Sequence, residues 1–396
     1  MPTTVAWSQD SNTERAQLFR DLRRVVVKVG TNVVAEGESG LCTARVQPLA
    51  ASLARLKNAG LQIVLVSSGA VGLGRGRLGL HRTRTHDLVT RQACAAVGQA
   101  LLMHEYEKLF GAQEVRIAQV LLTEDDFSDR RRSSNLRHTM EKLLKLGVMP
   151  IVNENDTVST AELEYLGDGK RTRIFSDNDR LAALVTSRLD ANALVLLTNV
   201  DGLLRFDAGQ GAPLGSESAL VPVVAQITPE LKALAAGPSA GGRGGMLTKL
   251  EAAEIATRAG AIVVIANGNE PDTLERLFRG EPAGTLFLAA SRMAGKRRWI
   301  AYAADVRGRV VVNAGARAAL LGGKASLLWS GVIKVERHFR PADVISIADP
   351  QGREFARGIA NQGSEEVQLR AGADKPSPAK ASVLVTRNNI VVFEEQ

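Results

Sequence analysis

The sequence has little of several residue types, and each shortage excludes a class of protein. Two cysteines among 396 residues are too few for a disulfide framework and favour a reducing, cytoplasmic compartment. No apolar run approaches the roughly 18–20 residues that a membrane span needs, and the polar start resembles neither a signal nor a transit peptide. With 45% hydrophobic and 23% charged residues, the composition is that of an ordinary globular protein.

The motifs of several enzyme classes are also missing. The sequence contains no GxSxG, HExxH or CxxC pattern, and its five histidines show no metal-ligand spacing. Hydrolase and metalloenzyme functions are therefore disfavoured, and we expect no dedicated metal site. The net charge of +8 suits an anionic substrate or a nucleic acid. Because the charge is spread thinly, apart from short clusters such as Arg130–Arg132 and Lys296–Arg298, it does not indicate a nucleic-acid protein.

Short apolar runs alternate with helical patterns over the first part of the chain. Runs of this kind are typical of strands buried on both faces of a parallel sheet, and they occupy residues 24–30, 61–67, 148–152, 193–198 and 261–266. Helical patterns cover Ala44–Asn58 and Leu88–Phe110. The alternation predicts an α/β fold with three layers, helix–sheet–helix, and a mostly parallel central sheet.

The pattern changes after about residue 290. The segment SRMAGKRR reads as a linker, and short alternating segments beyond it predict a small β-barrel or sandwich. The predicted organisation is a loose N-terminal extension (1–22), an α/β domain (23–290), a linker (291–298) and a small β-rich domain (299–396).

Ligands of such α/β domains bind at the carboxyl ends of the strands, so the residues that follow each apolar run are the candidate site residues. The first run contains Lys28, whose charge is costly inside an apolar strand unless it has a partner or a task. The second run ends in Ser67–Gly74, small residues that expose amide and hydroxyl groups to a carboxylate or phosphate. Gly74, Gly76 and Gly79 match a dinucleotide fingerprint. However, arginines flank these glycines, and no second strand ending in an acidic residue follows about 20 residues later, so we do not expect nicotinamide or flavin binding.

Two polar patches follow later. The residues 153–157, NENDT, come directly after an apolar run, and 176–180, SDNDR, open a helix-like stretch. Each patch alone is typical of helix capping, whereas the pair could recognise an ammonium group or orient charged side chains.

A glycine-rich loop, GGRGGMLTK at 241–249, leads into a helical pattern. Free N–H groups at such a helix start suit an anion, and Lys249 one turn later favours a phosphate. Two separated lysines, this loop and clustered acids indicate phosphoryl transfer from a nucleotide, which needs mostly positioning and charge neutralisation. The lack of an evident base favours a carboxylate acceptor, since a carboxyl group with a pKa near 4.3 is ionised at neutral pH.

These segments together resemble the glutamate 5-kinases of the amino-acid kinase family. The resemblance rests on VVVKVGTNVV, VSSGAVGLG, QACAAVGQ, PIVNENDTV, FSDNDRLAAL, LLTNVDGL and GGMLTKLEAAEIATRAG, and the part after Lys296 resembles a PUA domain. It implies an amino-acid kinase domain, transfer of the γ-phosphate of ATP to the side-chain carboxylate of L-glutamate, and a place at the first step of proline biosynthesis. It also implies Mg²⁺ carried mainly on the phosphates, a homo-oligomer, inhibition by proline and a glutamate-5-semialdehyde dehydrogenase partner.

The resemblance also implies roles for individual residues. Lys28 and Lys249 would hold the transferring phosphate as catalytic residues, and Asp179 would orient both lysines. The implied glutamate-binding residues are Ser68, Gly69, Ala70, Asp156, Asp177 and Asn178. The implied nucleotide-binding residues are Lys28, Thr198, Asn199, Arg243, Gly244, Gly245, Met246, Leu247, Thr248 and Lys249.

The chain departs from the family pattern at several positions. Asn199 stands where the family usually has aspartate, Ser176 where it has glycine and Arg243 where it has threonine, and residues 164–173 are longer than in many members. Two other functions stay open at this point. One is an amino-acid kinase acting on acetylglutamate, aspartate, a carbamate or UMP. The other is an RNA-binding regulator with a decayed kinase site, against which the presence of Lys28, Asp179 and Lys249 argues.

Overall fold

The computed structural model describes residues 11–36, 40–80, 88–158, 178–204, 220–235, 245–323, 325–365 and 382–393. The chain divides into two compact units. The first contains Met1–Asp126 and Arg131–Arg292, and the second contains Phe127–Arg130 and Met293–Gln396. No helix in the described ranges is long and apolar enough to cross a membrane.

Strands and helices alternate up to residue 290. The strands are β1 Arg24–Val29, β2 Ala35–Glu36, β3 Gly40–Leu41, β4 Gln62–Ser67, β5 Ile117–Leu122, β6 Met149–Glu154, β7 Ala193–Thr198, β8 Val223–Val224, β9 Ile262–Asn267 and β10 Thr285–Phe287. The helices are α1 Ser11–Arg20, α2 Thr31–Val34, α3 Thr43–Asn58, α4 Ala70–Arg77, α5 Leu88–Gly111, α6 Asp125–Ser128, α7 Arg130–Lys145, α8 Asn178–Arg188, α9 Pro229–Leu234, α10 Met246–Thr257 and α11 Thr273–Phe278. All five predicted strands form.

The described residues place eight of these strands in one sheet, in the order β5-β6-β4-β1-β7-β9-β10-β8. Neighbours from β5 to β9 run parallel, and β10 is antiparallel to β9, which confirms the mostly parallel α/β fold. The chain goes from β1 to β4 on one side and later returns to β7 on the other. A reversal of this kind opens a crevice at the carboxyl ends of the strands, here those of β1, β4 and β7.

The two faces of β1 have different partners, since successive side chains of a strand point to opposite faces. Val25, Val27 and Val29 belong to a core that includes residues of α1, α3 and α5. Lys28 lies on the other face, where its ammonium group meets α8. The alternation of the strand thus places one buried charge on the side of α8.

Glycines let helices α4 and α5 cross at backbone contact. A Cβ atom added at Gly74 would lie 1.8 Å from the carbonyl oxygen of Cys94, and one added at Gly98 would lie 1.7 Å from that of Ala70. Gly74 therefore serves this helix crossing. Gly74 and Gly76 lie within α4, so they do not form the turn between a strand and a helix that a dinucleotide fingerprint requires.

Within the segment before residue 23, where we expected a loose extension, residues 11–20 form helix α1. Phe19 of this helix is buried and packs edge-on against Phe278, with 5.6 Å between ring centroids. Arg15 donates a hydrogen bond to the carbonyl oxygen of Ala283 at 2.7 Å. Burial of Phe19 gives α1 the tertiary support that its polar sequence does not suggest.

The second unit is rich in strands, as expected. Its elements are α12 Gly295–Arg298, a π-helical turn at Trp299–Ala303, β11 Val306–Val312, α13 Ala314–Leu321, β12 Leu327–Leu328, β13 Val332–Arg337, β14 Val344–Ala348, β15 Glu354–Ile359, β16 Val383–Val385 and β17 Ile390–Val392. Five strands form a mixed sheet in the order β13-β11-β14-β15-β17, and β12 pairs with β16. Its core includes Val310, Ile345, Ile347, Phe355 and Leu384.

We predict that Gly74→Ala destabilises the protein whereas Gly72→Ala does not. The added methyl group at 74 must displace the backbone of α5, and overpacking of this kind costs about 1–3 kcal/mol. At Gly72, in the same helix, no described atom lies within 4 Å of the added Cβ, and alanine is the better helix former by about 1 kcal/mol. Thermal unfolding of both variants tests this, and equal midpoints would contradict the assigned crossing.

Candidate active site

The candidate residues converge at the carboxyl edge of the central strands. Lys28 precedes the last residue of β1, Ser68 follows β4, Asn153 lies near the end of β6, and Thr198 ends β7. Helices α4, α8 and α10 begin close to the ends of strands or glycine loops, with Ala70, Asn178 and Met246 as their first residues. The sheet order therefore brings together groups that are more than 200 residues apart in the sequence.

Asp179 lies between two lysines. Its carboxylate oxygens are 2.5 Å from Nζ of Lys28 and 3.2 Å from Nζ of Lys249. Asp179 is fully buried, and both lysines are about 95% buried. One carboxylate thus holds two ammonium groups from opposite ends of the domain sequence side by side in a site with little water.

The two neighbouring lysines keep the carboxyl group of Asp179 ionised. Burial alone would raise the pKa of Asp179, but Lys28 and Lys249 together lower it below its ordinary value of 3.8. Asp179 is also the second residue of α8, where the helix dipole favours a negative charge. The three side chains together carry two positive charges and one negative charge at neutral pH, and this net positive charge suits an anionic ligand.

A chain of amides lies beside the charged cluster. Nδ2 of Asn178 donates to the carbonyl oxygen of Ser67 at 3.0 Å, to Oγ of Ser68 at 2.8 Å and to Oδ1 of Asn153 at 3.1 Å. Nδ2 of Asn153 in turn donates to Oε1 of Gln99 at 2.9 Å. These bonds fix the direction of each amide, so the Oδ1 end of Asn178 faces away from its three acceptors. The oxygen of the Ser68 hydroxyl accepts from Asn178, and the same hydroxyl can also donate its hydrogen to a ligand.

The turn after β4 presents backbone donors. Gly69 adopts φ +105°, a left-handed conformation that side chains with a Cβ atom rarely adopt, and α4 begins at the next residue. Its first N–H groups have no intrahelical acceptor, so they can serve a carboxylate. Ser67 and Tyr106 share a buried hydrogen bond of 2.8 Å beneath this turn, and burial raises the pKa of Tyr106 to about 12 although that hydrogen bond opposes it.

A second set of groups lies at the ends of β7 and β9. The carbonyl oxygen of Thr198 accepts from the N–H of Gly268 at 2.7 Å, and its hydroxyl donates to Oδ1 of Asn199 at 3.3 Å. Nδ2 of Asn267 donates to Asp201 at 2.8 Å. Neither Asn267 nor Asp201 was among the predicted site residues. Asn267 directly follows the apolar run at 261–266, and this position at the end of a strand is the signal that could have identified it.

The glycine-rich loop is described from Gly245 onward. Gly245 is the N-cap of α10, and Met246, Leu247, Thr248 and Lys249 form the first turn of this helix, so Lys249 lies one turn in, as expected. The hydroxyl of Thr248 donates to the carbonyl oxygen of Gly245 at 2.8 Å. Asp156 is half-buried after β6. The candidates Asp177, Arg243 and Gly244 and the segment 164–173 lie outside the described residues.

The described residues contain no group of three His, Cys, Asp or Glu side chains that could hold a metal ion. The nearest carboxylate to the lysines, that of Asp179, is engaged by both of them. Two ammonium groups and the N-termini of α4 and α10 at one edge of the sheet support the neutralisation of a substrate anion.

Comparisons with known proteins agree with this chemistry. Residues 23–267 match the amino acid kinase family, and residues 308–374 match the PUA domain. A protein of Moorella thermoacetica named glutamate 5-kinase is 47% identical over 342 residues, 86% of each chain. Proteins with the same name from Cupriavidus metallidurans and Carboxydothermus hydrogenoformans are 43% and 38% identical, over 93% and 96% of this chain and 98% and 100% of their own.

We predict that Asp179→Asn lowers the free energy of unfolding by about 3–5 kcal/mol, because it leaves two buried ammonium groups without their carboxylate. Asp190→Asn is the matched control. Asp190 also joins two cations, Arg137 at 3.2 Å and Arg292 at 2.6 Å, but it is partly exposed. Its loss costs at most about 1 kcal/mol.

The stabilisation that Asp179 provides should depend on pH in a definite direction. Since the pKa of Asp179 is lower in the folded protein, its stabilisation is complete above the ordinary value of 3.8 and is lost as the pH falls through the lowered value. Urea unfolding at several pH values should show a constant difference between wild type and Asp179→Asn above about pH 5 that shrinks in acid. A difference that shrinks towards alkaline pH would contradict the assigned ion pairs.

Proposed function

This chain belongs to the amino acid kinase family, among the glutamate 5-kinases, and from this premise we propose how its residues catalyse the ATP-dependent phosphorylation of L-glutamate. The reaction yields L-glutamyl 5-phosphate and is the first step of proline biosynthesis. The observation that carries the proposal is the buried cluster of Lys28, Asp179 and Lys249.

The two lysines act on the transferring phosphoryl group. A side-chain oxygen of glutamate forms a bond to the γ-phosphorus of ATP, and the bond from that phosphorus to the bridging oxygen breaks, so that ADP leaves with the electron pair. Negative charge on the γ- and β-phosphate oxygens is what the enzyme must neutralise. Lys28 and Lys249 supply two ammonium groups, and Asp179 holds them at a fixed separation before substrate binds, which is the preorganisation that such catalysis uses.

The acceptor needs no catalytic base. The side-chain carboxylate of glutamate, with an ordinary pKa near 4.3, is already ionised at neutral pH. This agrees with the described site, in which the groups beside the lysines are neutral amides and one carboxylate that is already paired.

Glutamate is held beside the amide chain. The Ser68 hydroxyl and the N–H groups at Gly69 and Ala70 donate to its α-carboxylate, at the positive end of α4. Oδ1 of Asn178 accepts from its α-ammonium group, together with the carboxylates of Asp156 and Asp177. The direction of the three hydrogen bonds from Asn178 Nδ2 supports this arrangement.

ATP lies on the other side of the lysines. Thr198 and Asn199 contact the nucleotide. Its phosphates bind at the N-terminus of α10, to the residues Arg243, Gly244, Gly245, Met246, Leu247, Thr248 and Lys249. Mg²⁺ would be carried by the phosphate oxygens, since the carboxylate of Asp179 is already engaged by two lysines, and it would supply further neutralisation of phosphate charge. The protein itself contributes the two ammonium groups.

The resemblance supports further properties that we propose for this chain. They are a cytoplasmic location, a homo-oligomeric state, inhibition by proline and delivery of the labile product to glutamate-5-semialdehyde dehydrogenase. We likewise propose that the domain boundaries fall at residues 22, 290 and 298. The net charge of +8 is spread over the whole chain, so charge does not favour RNA binding by the PUA domain, and we leave this function as a hypothesis.

The test is hydroxylamine trapping of acyl phosphate in the presence of ATP, Mg²⁺ and L-glutamate. We expect hydroxamate with wild type and a loss of about 10³-fold or more with Lys249→Ala, because one of two charges on the transferring group is removed. The control is Lys145→Ala, which replaces an exposed lysine at the end of α7 and should leave the rate unchanged.

Aspartate, acetylglutamate, carbamate and UMP serve as alternative acceptors in the same assay. Preferential phosphorylation of one of them would replace glutamate as the substrate while leaving the role of the lysines intact. Equal rates for Lys249→Ala and Lys145→Ala would overturn the assigned role of the loop.

A further inference from the structure

Gln99 ends the amide chain, and the mechanism above gives it no task. It lies on α5 and is 9% exposed, so substrate contact through its side chain is limited. The preceding Gly98 touches the backbone of Ala70, which fixes the depth of α5 against the first turn of α4. Gln99 is thus held rigidly beside the turn that we assign to the glutamate carboxylate.

The hydrogen bonds of the chain have a single direction. Because Oε1 of Gln99 accepts from Asn153 Nδ2, the Oδ1 end of Asn153 must face Asn178. Asn178 then donates inward through Nδ2, and its Oδ1 faces the site. If Asn153 were reversed, two Nδ2 groups would oppose each other, and Asn178 would lose one of the three acceptors that hold its Nδ2 inward.

The other end of Gln99 points to function rather than stability. Its Nε2 is buried and has no hydrogen-bond acceptor among the described residues. A buried donor without an acceptor weakens the fold, so a side chain chosen for stability alone would be apolar here. What Gln99 contributes is one acceptor in a defined direction.

We propose that Gln99 is a positioning residue for glutamate: through Asn153 it orients one of the acceptors that hold Asn178 Nδ2 inward, so that Asn178 Oδ1, an acceptor and not a donor, faces the α-ammonium group. The inference rests on the proposed function. It predicts selectivity against substrates with an N-acylated amine, because their acyl oxygen, a hydrogen-bond acceptor, would face the Oδ1 oxygen of Asn178.

The test is Gln99→Met, which keeps the volume and removes the acceptor. We expect KM for glutamate to rise about tenfold, the effect of one misdirected hydrogen bond, with kcat and KM for ATP within about twofold of wild type. Asn153→Ala should have a similar effect. The double variant should be no worse than Asn153→Ala alone, because both act through the same amide.

Tyr106→Phe is the matched structural control. It removes a buried hydrogen bond from α5 two turns after Gln99, yet Ser67 keeps its bond to the carbonyl oxygen of Ser68. It should lower the thermal unfolding midpoint without raising KM for glutamate relative to KM for ATP.

The outcomes separate the two proposals. Parallel changes in both KM values for Gln99→Met, additive effects in the double variant, or no change would overturn the role of Gln99 while glutamate phosphorylation stands. A wild-type enzyme that does not phosphorylate glutamate would instead overturn the proposed function itself.

Discussion

The contact of one buried carboxylate with two ammonium groups is the constraint on which the rest of the site depends. Lys28 and Lys249 would repel each other in a dry site, and neither belongs in the interior without a negative partner. Asp179 makes their proximity tolerable and leaves one net positive charge. This net positive charge suits a phosphoryl group, because phosphoryl transfer requires the protein to neutralise negative charge that moves between oxygens during the reaction.

The sheet order makes this contact available. Lys28 is on the central strand, Asp179 in the first turn of α8, and Lys249 in the first turn of α10. Helix N-termini also surround the cluster, so dipoles and charges act in the same sense. The close contact of α4 and α5 at Gly74 and Gly98 fixes Gln99 at one end of the amide chain, and Asn178 at the other end directly precedes Asp179. The groups that recognise the acceptor and the groups that neutralise phosphate are therefore held by the same packed elements.

Much of this could be predicted from the sequence. The apolar runs located the parallel strands, because strands buried on both faces have a continuous hydrophobic pattern. Lys28 stood out as a charge within such a run, and Lys249 by its place after a glycine loop. The edge strand β5 was not predicted, since it is only partly buried. Helix α1 was not predicted, because its support comes from Phe278, far away in the sequence. Gln99 carried no local signal, since its importance lies in a hydrogen bond across 54 residues.

The central claim is that both lysines serve the phosphoryl group in transit more than the bound nucleotide. The most direct measurement is the calorimetric affinity of ADP with Mg²⁺, glutamate and aluminium fluoride, a mimic of the transferring group, for wild type, Lys28→Met and Lys249→Met. Differential binding predicts that each variant loses about 100-fold or more in affinity for the mimic while its affinity for ADP alone changes only a few-fold. Equal losses for the mimic and for ADP would contradict the account and make the lysines nucleotide anchors only.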